Sequence, residues 1–66
     1  PMAEPYWQIT TDPPPYFTSR EREDSRERAM AKLYEAMKTL EYGQTLTLYY
    51  VDADGLVHPE YKITRQ

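Results

Sequence analysis

Hydrophobic positions in the middle of the chain recur at helical spacing. Four of these residues are separated by three, four and three positions, which places their side chains on one face of an α-helix. They are called the seam and are Met30, Leu33, Met37 and Leu40. The pattern predicts one long helix, roughly from Ser19 to Tyr42, which buries the seam.

Both ends of this stretch carry helix end signals. Thr18 and Glu21 have the spacing of a capping box, which predicts the start of the helix. Gly43 predicts its end, as a C′ residue in the left-handed conformation. The charges between Arg20 and Arg28 alternate in sign with almost no apolar residue, so we expect the first half of the helix to be solvated.

The residues after the helix alternate in a way that predicts a β-hairpin. Residues 45–51, Thr-Leu-Thr-Leu-Tyr-Tyr-Val, are mostly β-branched or aromatic, and Asp54-Gly55 is typical of a two-residue type I′ turn. This loop pairs Leu46 with Ile63, Leu48 with Tyr61, and Tyr50 with Pro59. The predicted apolar face consists of Leu46, Leu48, Tyr50, Val57, Pro59, Tyr61 and Ile63.

The residues before the helix predict an extended arm, because four prolines within residues 5–15 exclude a helix there. Residues 6–11, Tyr-Trp-Gln-Ile-Thr-Thr, are rich in β-formers. They predict either a short strand added to a sheet edge or an arm laid over a neighbouring molecule. The predicted organisation is an aromatic, proline-rich arm over residues 1–17 and a helix-plus-hairpin module over residues 18–66.

Chain length favours self-association. A chain of 66 residues buries a small core and is marginally stable alone, and it contains no cysteine that could form a disulfide. We therefore predict an α+β fold, one long helix followed by a two-stranded antiparallel hairpin, assembled as a homodimer. The alternative is a monomer closed by the N-terminal strand. The predicted core or dimer residues are Met30, Leu33, Met37, Leu40, Leu46, Leu48, Tyr61 and Ile63.

The charge balance bears on the classes of partner. The net charge of −3 disfavours nucleic acid, which needs a basic surface, and gives no attraction to anionic membranes. No stretch is long and apolar enough for a membrane span, and no apolar run follows a basic start as in a signal peptide. With the lack of cysteine, these features predict a cytoplasmic protein.

Few residues suggest catalysis or metal binding. His58 is the single histidine, and Asp52 and Asp54 stand near it in sequence. Turn formation alone accounts for both aspartates, and the pattern lacks the further ligands of a calcium loop. No phosphate loop or nucleophile elbow is present. We predict no enzyme activity, no metal and no cofactor.

Aromatic composition points to protein binding. The chain has seven tyrosines, one tryptophan and one phenylalanine, and tyrosine and tryptophan are enriched at protein interfaces. We predict a small inhibitor or adaptor that occludes a site on a larger protein, such as a transcription regulator or a motor ATPase. The predicted partner-binding residues are Tyr6, Trp7, Tyr16, Phe17, Arg22, Arg26 and Tyr49.

Two other functions stay open from the sequence. One is a dimeric DNA-binding or transcription-linked protein that uses the arginine-rich end of the helix, although acidic residues lie between the arginines. The other is a structural subunit of a larger particle.

One stretch carries a resemblance to a known family. Residues 46–57, Leu-Thr-Leu-Tyr-Tyr-Val-Asp-Ala-Asp-Gly-Leu-Val, resemble the opening hairpin of WYL-type ligand-sensing domains, which ends an apolar strand in Tyr before a short Asp/Gly turn. The resemblance implies a hairpin and carries over no binding residue. As a class, a small, acidic, cysteine-free chain also resembles the accessory proteins with which phages and plasmids block host machinery.

Overall fold

Three strands and one helix make up the part of the chain that the computed structural model describes, residues 3–12 and 22–66. In chain order they are β1 (Tyr6–Asp12), α1 (Arg26–Met37), β2 (Thr45–Val51) and β3 (Val57–Thr64). The strands form one antiparallel sheet in the order β1-β2-β3. The predicted fold, a long helix followed by a two-stranded hairpin, is therefore wrong. Of the two predictions for residues 6–11, the short strand at a sheet edge is confirmed.

The helix begins seven residues later than predicted because the segment before it pairs with β1. The Trp7 and Glu23 backbones exchange two hydrogen bonds, with N···O distances of 2.8 and 3.0 Å. Ser25 is the N-cap in an extended conformation, and its hydroxyl accepts from the Arg28 N–H. The predicted capping box, Thr18 with Glu21, lies outside the described residues.

The helix also ends earlier than predicted, at Met37. The Thr39 N–H and hydroxyl both donate to the Ala36 carbonyl, which replaces α-helical pairing with a tighter turn. Gly43 has the expected positive φ, 86°, but it serves a separate turn closed by the Gln44 N–H on the Glu41 carbonyl. The prediction that Gly43 ends the helix is wrong.

The core lies between α1 and one face of β1 and β2. Its buried members are Ile9, Ala29, Leu33, Leu40, Leu46 and Leu48. This confirms the burial predicted for four leucines, at positions 33, 40, 46 and 48. Met30, Met37 and Ile63 pack at the edge of the core and are half-buried. Tyr61 is 40% exposed, so it is not part of the core of the single chain, and its place at a dimer interface stays a prediction.

The hairpin register is correct at one end and shifted at the other. Leu46 pairs with Ile63 and Leu48 with Tyr61, as predicted, but Tyr50 pairs with His58. The register shifts by one residue beside Leu48, where the chain passes through Pro59. Glu60 is the residue skipped in the pairing, so Pro59 and Glu60 together oppose Tyr49, as in a β-bulge.

The loop between β2 and β3 is longer than the predicted type I′ turn. The Asp52 N–H donates to the Leu56 carbonyl at 3.0 Å, and the Gly55 N–H donates to the Asp52 carbonyl at 2.9 Å. A type I′ turn needs two residues with positive φ, and of the described loop residues only Gly55 has one, 84°. The shift moves Val57 and Pro59 off the predicted apolar face, because they now pair with Val51 and Tyr49.

Candidate protein-binding surface

Three aromatic rings lie side by side at the loop end of the sheet, one from each strand. Trp7 pairs with Tyr50, and Tyr50 pairs with His58. The Trp7 and Tyr50 ring centroids are 4.8 Å apart with a tilt of 43°, and those of Tyr50 and His58 are 6.0 Å apart with a tilt of 29°. These three residues are called the aromatic row below. Trp7 and Tyr50 are half-buried and His58 is exposed.

A charged pair borders the aromatic row. The Trp7 indole N–H donates to Glu60 Oε1 at 3.0 Å, and Arg26 Nε lies 3.8 Å from the same oxygen. Glu60 therefore links two predicted partner-binding residues, Trp7 on β1 and Arg26 at the start of α1. The sequence pattern placed Glu60 on the opposite face of the hairpin, because it did not include the register shift beside Pro59.

The loop next to the row is held by one carboxylate. Asp52 Oδ2 forms a hydrogen bond with His58 Nε2 at 2.8 Å, and Oδ1 accepts the backbone N–H groups of Asp54 and Leu56 at 2.9 and 3.0 Å. The pKa of Asp52 lies below its ordinary value. The hydrogen bond with His58 is the largest cause, and the hydrogen bond from the Leu56 N–H is the second. The structural role predicted for this aspartate is confirmed, and the loop presents Leu56 with 61% and Val57 with 58% of their surface exposed.

The other predicted partner-binding residues do not join the row. Tyr6 and Tyr49 lie on the sheet face away from α1, since they alternate with Trp7 and Tyr50. The Arg22 guanidinium carbon lies 4.2 Å from the Tyr6 ring centroid, a cation–π distance. Tyr16 and Phe17 lie outside the described residues. The structure thus divides the predicted set between two faces of the sheet.

A second apolar surface lies at the opposite end of β3. Because α1 packs over β1 and β2, the side of β3 facing the helix is left partly open. An open cavity of about 240 Å³ lies there, named the C-terminal groove below and lined by Met37, Leu40, Ile63, Thr64 and Arg65. Arg65 is fixed at its rim, donating to the Leu40 carbonyl at 2.7 Å and lying 4.1 Å from the Tyr42 ring centroid.

The sequence analysis did not predict that three tyrosines on the helix side of the molecule are exposed. Tyr34, Tyr42 and Tyr61 are 58%, 75% and 40% exposed. Tyr34 follows Met30 by four residues and precedes Met37 by three, so it belongs to the same flank of α1. That flank begins at Arg26, which reaches β3 through Glu60. The helical spacing of Tyr34 was visible in the sequence, but the offset of α1 from β3 was not.

Comparison with known proteins gives no match to a family model, a curated protein or a solved structure. The resemblances to WYL-type hairpins and to phage or plasmid accessory proteins therefore stay predictions. Within residues 3–12 and 22–66, no helix has the length and apolar character needed to cross a membrane.

Proposed function

We propose that the protein is a small, non-enzymatic, cytoplasmic protein-binding module that acts as an inhibitor or adaptor by occluding a site on a larger protein. A transcription regulator and a motor ATPase are the targets we would test first. The observation that supports this proposal is the aromatic row, Trp7, Tyr50 and His58, bordered by the Glu60–Arg26 pair.

The row has the composition of a protein-binding hot spot. Tryptophan, tyrosine and arginine carry most binding energy at interfaces, and they do so in an apolar centre surrounded by polar groups. Here the rings of Trp7 and Tyr50 form the centre, and Glu60, Arg26 and Asp52 form the rim. The exposed Leu56 adds apolar area in the loop next to the row.

The row is also ordered before any partner binds. The Trp7 indole is fixed by Glu60, and the His58 ring is fixed by Asp52. Tyr50 lies between these two fixed rings. A surface held in this way loses little side-chain entropy on binding, so more of the contact energy appears as affinity.

Charge favours a partner with a basic contact surface. The chain has a net charge of −3, and Asp52 and Glu60 lie at the rim of the row. Complementary charge raises the association rate and disfavours wrong partners more than it adds affinity. We therefore expect the association rate to fall as the salt concentration rises.

The experiment is affinity capture from bacterial lysate with the tagged protein, read by quantitative mass spectrometry. Tyr50→Thr removes the middle ring and keeps a strand-forming residue. Tyr49→Thr is the matched control, because it is the next residue of β2 and lies on the other face. We expect the wild type and Tyr49→Thr to enrich the same stoichiometric protein, and Tyr50→Thr to reduce its recovery about tenfold.

The reverse result would place binding on the face that carries Tyr6, Tyr49 and Arg22 and would contradict a role for the row. Circular dichroism of both variants shows whether each is folded. Equal recovery of the captured protein with both variants would also contradict a role for the row in binding.

The DNA-binding alternative has less support. Arg26 lies beside Glu60, Arg28 lies 3.6 Å from Asp24, and Arg22 lies over the Tyr6 ring. The carboxylates beside Arg26 and Arg28 weaken the field of these two arginines for phosphate, whereas Arg22 keeps its charge over the Tyr6 ring. Fluorescence anisotropy with random duplex DNA at low salt tests this alternative, since a protein that contacts phosphates binds nonspecifically under those conditions.

A further inference from the structure

We propose that a second copy of this chain pairs with the outer edge of β3. The two β3 strands lie antiparallel with Ile63 on the twofold axis, and together they form a six-stranded sheet and cover the C-terminal groove of each copy. This interface uses the end of β3 opposite to the aromatic row. A test that rejects this interface would therefore leave the proposed function unaffected, and the reverse also holds.

The hydrogen bonding at the end of β3 shows which backbone groups are available on its outer edge. The Arg65 N–H donates to the Gln44 carbonyl at 3.0 Å, and the Arg65 carbonyl accepts from the Gly43 N–H at 2.7 Å. Because the direction alternates along a strand, Ile63 also faces β2, whereas the N–H and C=O groups of Lys62 and Thr64 point outward. No described strand pairs with this edge.

Of the symmetric registers centred on residues 61 to 64, the one centred on Ile63 uses these groups best. With Ile63 on the axis, Lys62 lies opposite Thr64 of the second copy, and the two outward-facing residues can exchange hydrogen bonds on each side of the axis. A register centred on Lys62 sets two lysines directly opposite each other, which is unfavourable. A register centred on Tyr61 extends into the irregular stretch at Pro59 and Glu60, where the regular alternation is interrupted. A register centred on Thr64 sets Lys62 opposite Gln66, which lies beyond the end of β3.

The same register supplies a cation–π contact at the groove. Tyr61 of each copy lies opposite Arg65 of the other, on the side of the sheet that carries α1. Arg65 is already held by the Leu40 carbonyl and the Tyr42 ring. Its guanidinium can therefore be enclosed between two tyrosine rings, an arrangement that favours arginine.

Exposed tyrosines supply part of the area of such an interface. At about 200 Å² for a whole aromatic side chain, the exposed parts of Tyr34, Tyr42 and Tyr61 amount to roughly 350 Å². That is close to half of the about 800 Å² that each partner buries in a stable complex. The outer surface of β3 and the groove supply further area.

Chain size gives a reason for the second copy. A chain of 66 residues buries a small core. The described residues leave the C-terminal groove and the outer edge of β3 open. Because such a small core gives marginal stability, covering this surface in a dimer stabilises the fold.

Single cysteines test this register, since the chain has none of its own. Two Ile63→Cys chains would meet at the axis as a non-hydrogen-bonded pair with Cα atoms about 4.5 Å apart, which permits a disulfide. Lys62→Cys and Thr64→Cys are the matched controls, because neither meets itself. We expect wild-type light scattering to give twice the chain mass, and mild oxidation to link Ile63→Cys about tenfold faster than either control.

A wild-type monomer at high micromolar concentration, or equal linking of all three variants, would overturn the proposal. Lys62→Pro adds a second measurement, because it removes an outward N–H that β2 does not use. We expect Lys62→Pro to be monomeric and Lys62→Ala to stay dimeric, both with wild-type circular dichroism. A monomeric wild type that loses its captured protein in Lys62→Pro would assign the edge to a different partner, which also contradicts the second-copy interface.

Discussion

At the scale of single residues, Asp52 shows how one side chain determines a loop. Its two oxygens bind one imidazole and two backbone N–H groups, so the loop keeps one conformation beside the aromatic row. The role of this residue in a turn was predictable from the Asp and Gly composition. Its hydrogen bond with His58 was not, because it depends on the pairing of His58 with Tyr50 across the sheet.

The lowered pKa of Asp52 predicts a loss of stability in acid. Since the folded state favours the carboxylate, the contribution is fully present above the unfolded pKa, near the ordinary value of 3.8, and is lost as the pH falls through the lower folded value. Asp52→Asn should unfold at a lower temperature than wild type at neutral pH and show a weaker acid dependence. Asp54→Asn in the same loop is the control and should behave like wild type.

The positive φ of Gly55 predicts a cost for any side chain there. A Cβ at this position has no atom within 4 Å, so the cost comes from the left-handed backbone alone. Gly55→Ala should lower the free energy of unfolding by about 1 kcal/mol. Gly55→Asn should cost less, because asparagine tolerates this conformation. Urea unfolding measures both, and an equal cost would contradict the left-handed assignment.

At the scale of the elements, local patterns predicted the hairpin better than the helix. The alternation in residues 45–51 and the pairing of Leu46 with Ile63 follow from sequence neighbours and a nearby turn. The start of the helix does not follow from sequence neighbours, because the pairing of Glu23 with Trp7 joins segments that are distant in sequence. A capping-box pattern at Thr18 carries no information about such a contact.

Two errors in the predicted hairpin cancel each other along β3. The loop is longer than a type I′ turn, and the irregularity at Pro59 then restores the expected register for Tyr61 and Ile63. Between these points His58 replaces Pro59 opposite Tyr50, and Glu60 comes to face Trp7. The residues of the candidate site that sequence reasoning missed lie within this short interval.

Membership of β1 in the sheet gives a stability prediction. Ile9 is buried at 1% exposure between α1 and β2, so Ile9→Val should lower the free energy of unfolding by about 1 kcal/mol. Leu33→Ala, at the centre of α1, should cost about 3 kcal/mol. An Ile9→Val protein with wild-type urea unfolding would show that residues 6–12 form a detached arm instead of a strand.

At the scale of the whole molecule, the offset of α1 toward β1 and β2 produces both exposed surfaces. Trp7 and Arg26 were recognised in the sequence from residue type alone, because tryptophan and arginine are frequent at interfaces. Their meeting at Glu60, and the open groove beside Ile63, required the three-dimensional placement of the helix. The irregular stretch at Pro59 separates the two surfaces, so the proposed target protein and the proposed second copy would bind at different places.

Trp7 is the single tryptophan of the chain, so it reports on the aromatic row without a mutation. The most direct measurement is ¹⁹F NMR of the protein labelled with 5-fluorotryptophan, titrated with the unlabelled protein obtained by affinity capture. We expect the Trp7 resonance to shift or broaden and to saturate at a fixed stoichiometry, because the partner covers the row. A saturated complex in which this resonance is unchanged would contradict the proposal that the row is the binding surface.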